Sequence, residues 1–205
     1  MVGYITIRAL GIIGLFRGDY LASLHVREMA RLLGTSHVTL LPHLASLEKE
    51  GLLVSSERGR NRVFTLNLSN ISVKYALMMA ESVETLRLLE KIPLLKRMSE
   101  ECSSLSSGAS IILFGSYASG TFTERSDVDI LAVGTLAEKD AKRLKHVGAT
   151  YGKRIDLKAS SLANFDEGLR KGDPLIKEVV ANHAFIHNQG IIADALWRYC
   201  SNIRA

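Results

Sequence analysis

An acid inside an apolar strand, with a second acid two positions before it, constrains this chain more than any other feature. The run Val128-Asp129-Ile130-Leu131-Ala132-Val133 reads as a buried strand, preceded by Asp127. Residues two apart on a strand point to one face, so the carboxylates of Asp127 and Asp129 share a surface that Leu131 and Val133 would otherwise make apolar. Like charges side by side in a half-buried place repel. A divalent cation resolves the conflict, and paired hard carboxylates suit Mg²⁺ held together with substrate phosphates. Asp156 stands inside a further strand, Arg154 to Ala159, between Ile155 and Leu157. Set beside the first strand, it completes a three-acid cluster for two metals, or for one metal and a general base. A salt bridge to Lys153, Arg154 or Lys158 is the competing structural role for Asp156.

Upstream, Ile111-Ile112-Leu113-Phe114 reads as a short buried strand that stops at Gly115-Ser116, where a helix begins. Unpaired N–H groups at a helix start favour phosphate oxygens. Gly115 lets a ligand approach the main chain, Ser116 can cap the helix or donate its hydroxyl, and Gly120 lets the chain turn away. A polar helix over Ala137 to Thr150 separates the second strand from the third, and two or three helices are expected between Leu162 and Tyr199. Apolar strands alternating with helices predict an α/β (α+β) domain, a small mixed sheet covered by helices.

The order Gly115-Ser116, three residues, Gly120, five residues, Ser126-Asp127-Val128-Asp129 resembles the signature of polymerase-beta-like nucleotidyltransferases, and among them the minimal ones of bacteria and archaea. The likeness is close over about residues 108–160. It implies that Asp127 and Asp129 bind Mg²⁺, with Asp156 as third acid and metal ligand helping to activate an acceptor hydroxyl. It implies that Gly115, Ser116, Gly120 and Ser126 hold a nucleoside triphosphate, ATP first among the candidates. The reaction implied is transfer of a nucleoside monophosphate to an acceptor that the sequence does not name, a protein being one option. The alternative is a regulator whose second domain binds nucleotide without turnover. An antitoxin-like protein that modifies or masks a partner is a third class the resemblance allows.

The amino-terminal part has a different texture. Helices are expected over Ile5 to Phe16, over Val26 to Leu33 and up to Glu50, followed by strands at Leu52 to Ser56 and Arg62 to Leu66 around the turn from Glu57 to Asn61. Three helices and a hairpin, with Leu44-Ala45-Ser46-Leu47-Glu48-Lys49-Glu50-Gly51-Leu52 closing the third helix, resemble a winged helix-turn-helix of bacterial and archaeal regulators. The resemblance implies a recognition helix in the DNA major groove, with His37, Thr39 and His43 on its face and Arg58, Arg60 and Arg62 of the wing on phosphates. The helix has no arginine for a bidentate guanine contact, and Pro42 predicts a late start near Thr39 or a kink. A fold kept for protein contacts or dimerisation is the other reading; the wing arginines direct ours to DNA.

Between these parts Val73, Leu77, Ala80, Val83 and Leu86 recur three or four apart, an apolar helical stripe over Ser72 to Glu90. It is read first as core packing, with a homodimer seam as the alternative. Pro93 opens a further helix to about Leu105. The expected domains are therefore 1–70, winged helix-turn-helix; 71–106, helical connector; and 107–205, nucleotidyltransferase.

Composition narrows the rest. The 205 residues include 26 Lys and Arg against 21 Asp and Glu, a net +5 that suits an anionic partner without demanding one. The run Ala9 to Phe16, closed by Arg8 and Arg17, is far short of the ~20 residues of a membrane span. It has no cleavage signal behind it, and Cys102 and Cys200 lie far apart, so reduced thiols in a cytoplasmic protein are expected. Among minor candidates, His183 and His187 are four apart without a third ligand. Lys171-Gly172-Asp173-Pro174 reads as a turn, Trp197 and Tyr199 as core or interface residues, and Arg125 as either a triphosphate contact or a surface residue.

Overall fold

The computed structural model describes residues 6–59, 61–105 and 108–204. The chain is mixed α+β and divides into two compact units, Met1–Glu81 with Cys200–Ala205, and Ser82–Tyr199. No helix among the described residues is long and apolar enough to cross a membrane.

In the first unit, α1 (Ile7–Gly14) starts at Thr6, whose hydroxyl accepts the Ala9 N–H at 3.1 Å, and buries Leu10, Ile12 and Ile13. There follow β1 (Leu24–His25), α2 (Val26–Leu32), α3 (His37–Lys49), β2 (Leu53–Arg58), β3 (Asn61–Leu66) and the first half of α4 (Ser72–Lys91). The strands form an antiparallel sheet in the order β1-β3-β2. The hairpin is tighter than its sequence suggests. Arg58 pairs with Asn61, and Gly59, directly after β2, has φ +62°, the left-handed backbone that tight hairpin turns favour. The stripe on α4 is only half core: Val73, Leu77 and Ala80 are buried, Val83 is half-buried and Leu86 is exposed. Glu81, also buried, pairs with Arg17 at 2.7 Å. Burial, and then the Glu81 charge, drive the nearby Tyr20 hydroxyl to a pKa far above its usual value.

The second unit takes the rest of α4, then α5 (Pro93–Cys102), β4 (Ser110–Phe114), α6 (Gly115–Ser119), β5 (Val128–Val133), α7 (Glu138–Thr150), β6 (Ile155–Ser160), α8 (Leu162–Lys171), α9 (Pro174–Ala181), β7 (His183–His187) and α10 (Gly190–Arg204) as far as Tyr199. The sheet order is β6-β5-β4-β7, with β5 and β6 parallel and the other pairs antiparallel. One face carries Ile111, Leu113, Val128, Ile130 and Ile155 into a core with Leu95 and Met98 of α5 and Leu144 and Val147 of α7. Helix α7 reaches this face without a spacer: a Cβ on Gly148 would stand 2.4 Å from Ile155 Cγ1 and 2.8 Å from the Lys153 carbonyl oxygen. On the other face, alternation places Ile112, Phe114, Asp129, Leu131, Asp156 and Lys158.

Two expectations need correction. The stretch between Leu162 and Tyr199 is not all helix, because His183–His187 extends the sheet as β7 beside β4. Helix α3 does not begin late. Ser36 caps it by accepting the Thr39 N–H at 3.2 Å, and the helix runs from His37 through Pro42. Proline there removes the bond to the carbonyl of Val38, a residue exposed enough for water to replace it.

Candidate active site

The site grows from the turn between β4 and α6. Phe114 ends β4 in extended backbone and becomes the N-cap of α6 without any side-chain cap bond. Gly115 follows at φ +67°, and the reason for glycine is spatial as well as conformational. A Cβ here would lie 2.4 Å from Asp129 Oδ2 and 3.2 Å from its Cγ, so any larger residue displaces the carboxylate. Helix α6 ends at Gly120 in left-handed backbone, as a turn away requires, with the Thr121 N–H donating to the Ser116 carbonyl at 3.0 Å. Ser126 belongs to the same loop and has a part in its turn. Its hydroxyl oxygen accepts the Thr123 N–H at 2.9 Å and lies 3.2 Å from the Thr123 hydroxyl, pinning the turn that delivers Asp127 to β5.

Two of the three expected acids stand on adjacent strands, Asp129 on β5 and Asp156 on β6, and Asp127 immediately precedes β5. Phe114 pairs with Asp129 across β4 and β5, and Asp129 pairs with Asp156 across β5 and β6, so both carboxylates rise from neighbouring positions on one face. Burial holds the Asp129 carboxyl above its ordinary range, reinforced by Asp156, Glu178 and Asp127 and opposed by Lys158. Asp156 also has the basic neighbour that its competing role requires: Lys158 Nζ is 3.4 Å from Asp156 Oδ2. Arg154 Nε lies 3.6 Å from Asp127 Oδ2. Strand β6 and the residue before it thus present Arg154, Asp156 and Lys158 at alternate positions. Among the described residues, no three His, Cys, Asp or Glu side chains are grouped to hold a metal ion by themselves. The donor set nonetheless fits Mg²⁺, which is held by one or two carboxylates and completed by substrate phosphates and water. Glu178 on α9 escaped sequence reasoning, because nothing local marks a helical glutamate that packing alone brings toward Asp129.

The remaining candidates scatter. His37 is exposed, and Thr39 and His43 are half-buried on α3; the Thr39 hydroxyl lies 2.7 Å from that of Ser36 in the cap. Arg58 is exposed at the end of β2, and Arg60 lies outside the described residues. Arg62 is not a free wing cation. Its guanidinium donates to both carboxylate oxygens of Glu48 at 2.9 and 2.8 Å and to Ser55 Oγ at 2.9 Å, and it lies over the Phe64 ring. His183 and His187 lie on β7 rather than a helix, where four residues span ~13 Å, too far to share an ion. Gly172 and Asp173 punctuate helices: Gly172 ends α8 in left-handed backbone, and Asp173 caps α9 by accepting the Ile176 N–H at 3.1 Å.

Comparison with curated proteins gave no match. A crystal structure of a toxin–antitoxin with AMP-PNP is similar to this chain at 16% identity, over 54% of this chain and 86% of that one, with a TM-score of 0.36. The part of the chain that holds the turn, the acids and all but the last residues of the sheet, residues 95–184, matches the family model of the nucleotidyltransferase domain.

Proposed function

We propose that the second unit transfers a nucleoside monophosphate from a nucleoside triphosphate, ATP first among them, to a hydroxyl acceptor, with Mg²⁺ as the metal. The observation that carries the reading is the in-register pairing of Asp129 with Asp156, with Gly115 closing on the Asp129 carboxylate. Carboxylates are forced together there at a cost that a polyphosphate-bound cation would relieve. Asp127 and Asp129, joined by Asp156, would hold Mg²⁺, which when bound neutralises charge on the transferred phosphoryl group. The start of α6, which has no side-chain cap, would offer its N–H groups, and Ser116 its hydroxyl, to phosphate oxygens. Asp156 takes the proton of the acceptor hydroxyl as that oxygen bonds to the α-phosphorus and pyrophosphate departs.

Incubating the protein with α-phosphate-labelled nucleoside triphosphates, Mg²⁺ and cell extract is expected to label an acceptor. Asp127→Asn should cut that labelling ~100-fold or more. Undiminished labelling by the variant overturns the assignment.

For the first unit we propose a winged helix that docks on DNA. Its support is the order of three helices and an antiparallel hairpin, with β1 completing the sheet beside β3. Because Arg62 is held by Glu48, phosphate contact falls to Arg58 and Arg60, and recognition to His37, Thr39 and His43. Binding to duplex DNA should weaken steeply with salt, and Arg58→Ala should lower the slope of log K against log salt by about 1. A slope unchanged in the variant removes Arg58 from the interface.

A further inference from the structure

Lys158 is placed as a cation among the acids. Its ammonium nitrogen lies 3.4 Å from Asp156 Oδ2 and 5.4 Å from the centre of the Phe114 ring. Phe114 is the register partner of Asp129, which is itself paired with Asp156, so the positive charge lies against Asp156 on the face of the sheet that also carries Asp129. The ring helps to hold the ammonium there, since an ammonium is attracted to a ring face. At the other end of the cluster Arg154 takes Asp127. Position two after Asp156 on an edge strand is what aims Lys158 at the acids; a shift of one residue would send it to the opposite face.

We propose that Lys158 is a positioning residue that acts as the resident counter-ion of Asp129 and Asp156, holding both carboxylates in place before a divalent cation enters and giving way to that cation when it does. The proposal rests on the nucleotidyl-transfer reading for the presence of a divalent cation, and it adds a competitor for the same carboxylates. No bond is made or broken; one cation replaces another beside two anions. A lysine that served only to pack on Phe114 would leave metal affinity unchanged when replaced by an apolar residue of similar length.

The test is a titration of the full chain with Mn²⁺ in metal-free buffer without nucleotide, free Mn²⁺ being read by electron paramagnetic resonance. Lys158→Met keeps an unbranched side chain of similar length and removes the charge. It should bind Mn²⁺ about 3- to 10-fold more tightly than the unaltered chain, the effect of one nearby, partly screened unit charge. Lys158→Arg should return the affinity to its original value, and Asp129→Asn should weaken it. Equal or weaker binding by Lys158→Met overturns the counter-ion role while leaving the nucleotidyl-transfer reading intact. If neither the unaltered chain nor Lys158→Met binds Mn²⁺ without nucleotide, the counter-ion role falls, and the nucleotidyl-transfer reading is decided by the labelling experiment, because its metal is completed by substrate phosphates.

Discussion

Asp129 carries the strain of the site in a measurable form. Its carboxyl is held above the ordinary range by burial first and then by Asp156, so the folded chain keeps this proton more tightly than the unfolded chain does. For a raised acid the sign follows directly. Ionised Asp129 costs stability at neutral pH, and the cost disappears as pH falls through its folded pKa. In metal-free buffer Asp129→Asn should therefore raise the thermal midpoint at pH 7 by roughly 1–3 °C, an amount discounted for partial exposure. The gain should vanish in acid, where the native residue is itself protonated; melting curves across pH check this. A gain of equal size at all pH values would assign the effect to packing instead. The same acid explains why residue 115 is glycine, since the carboxylate fills the space a side chain would need.

At the scale of elements, Glu48 of α3 and Arg62 of β3 tie the third helix to the hairpin, Arg62 Nη2 donating to both Glu48 oxygens and Nε to Ser55 Oγ. Because Arg62 is largely exposed, the pair should contribute only ~0.5–1 kcal/mol, measured as the coupling in a double-mutant cycle of Glu48→Ala and Arg62→Ala. This tie was hidden in the sequence, where Arg62 reads as one of three similar wing cations; only the fold brings residue 48 beside residue 62. Strands β4, β5 and β6 were legible because their apolar runs are bounded by Gly115, by Asp127 and by a helix. Strand β7 was not: His183-Ala184-Phe185-Ile186-His187 has no turn signal of its own, and it becomes a strand by pairing with β4. Strand β1, two residues long, has no pattern to read at all. At the candidate site Asp127, Asp129 and Asp156 could be found from spacing, since alternation and a neighbouring strand suffice. Glu178 could not, because its approach to Asp129 depends on where a separate segment lands.

Considered whole, each unit keeps its polar burdens in a different place. The first encloses the Arg17–Glu81 pair, where removing either partner would take the salt bridge from a largely buried charge. The second keeps a closed apolar face and sets its acids on the opposite one, near the open edge at β6. Cys102 sits within the closed side, where burial and then the Glu101 charge push its thiol up to about 12 and leave it inert. A tight seam of that side is the meeting of Gly148 with Ile155. Ile155 immediately precedes Asp156, so this seam transmits mechanically: there is no slack behind the strand to absorb an added methyl. Gly148→Ala should destabilise the chain by ~1–3 kcal/mol, read from denaturant unfolding, and at the same time lower nucleotidyl transfer without touching any group that meets the substrate. A lesion on the hidden side of the sheet would thus be felt where the chemistry happens, as pressure on the back of a page shifts the ink on its front.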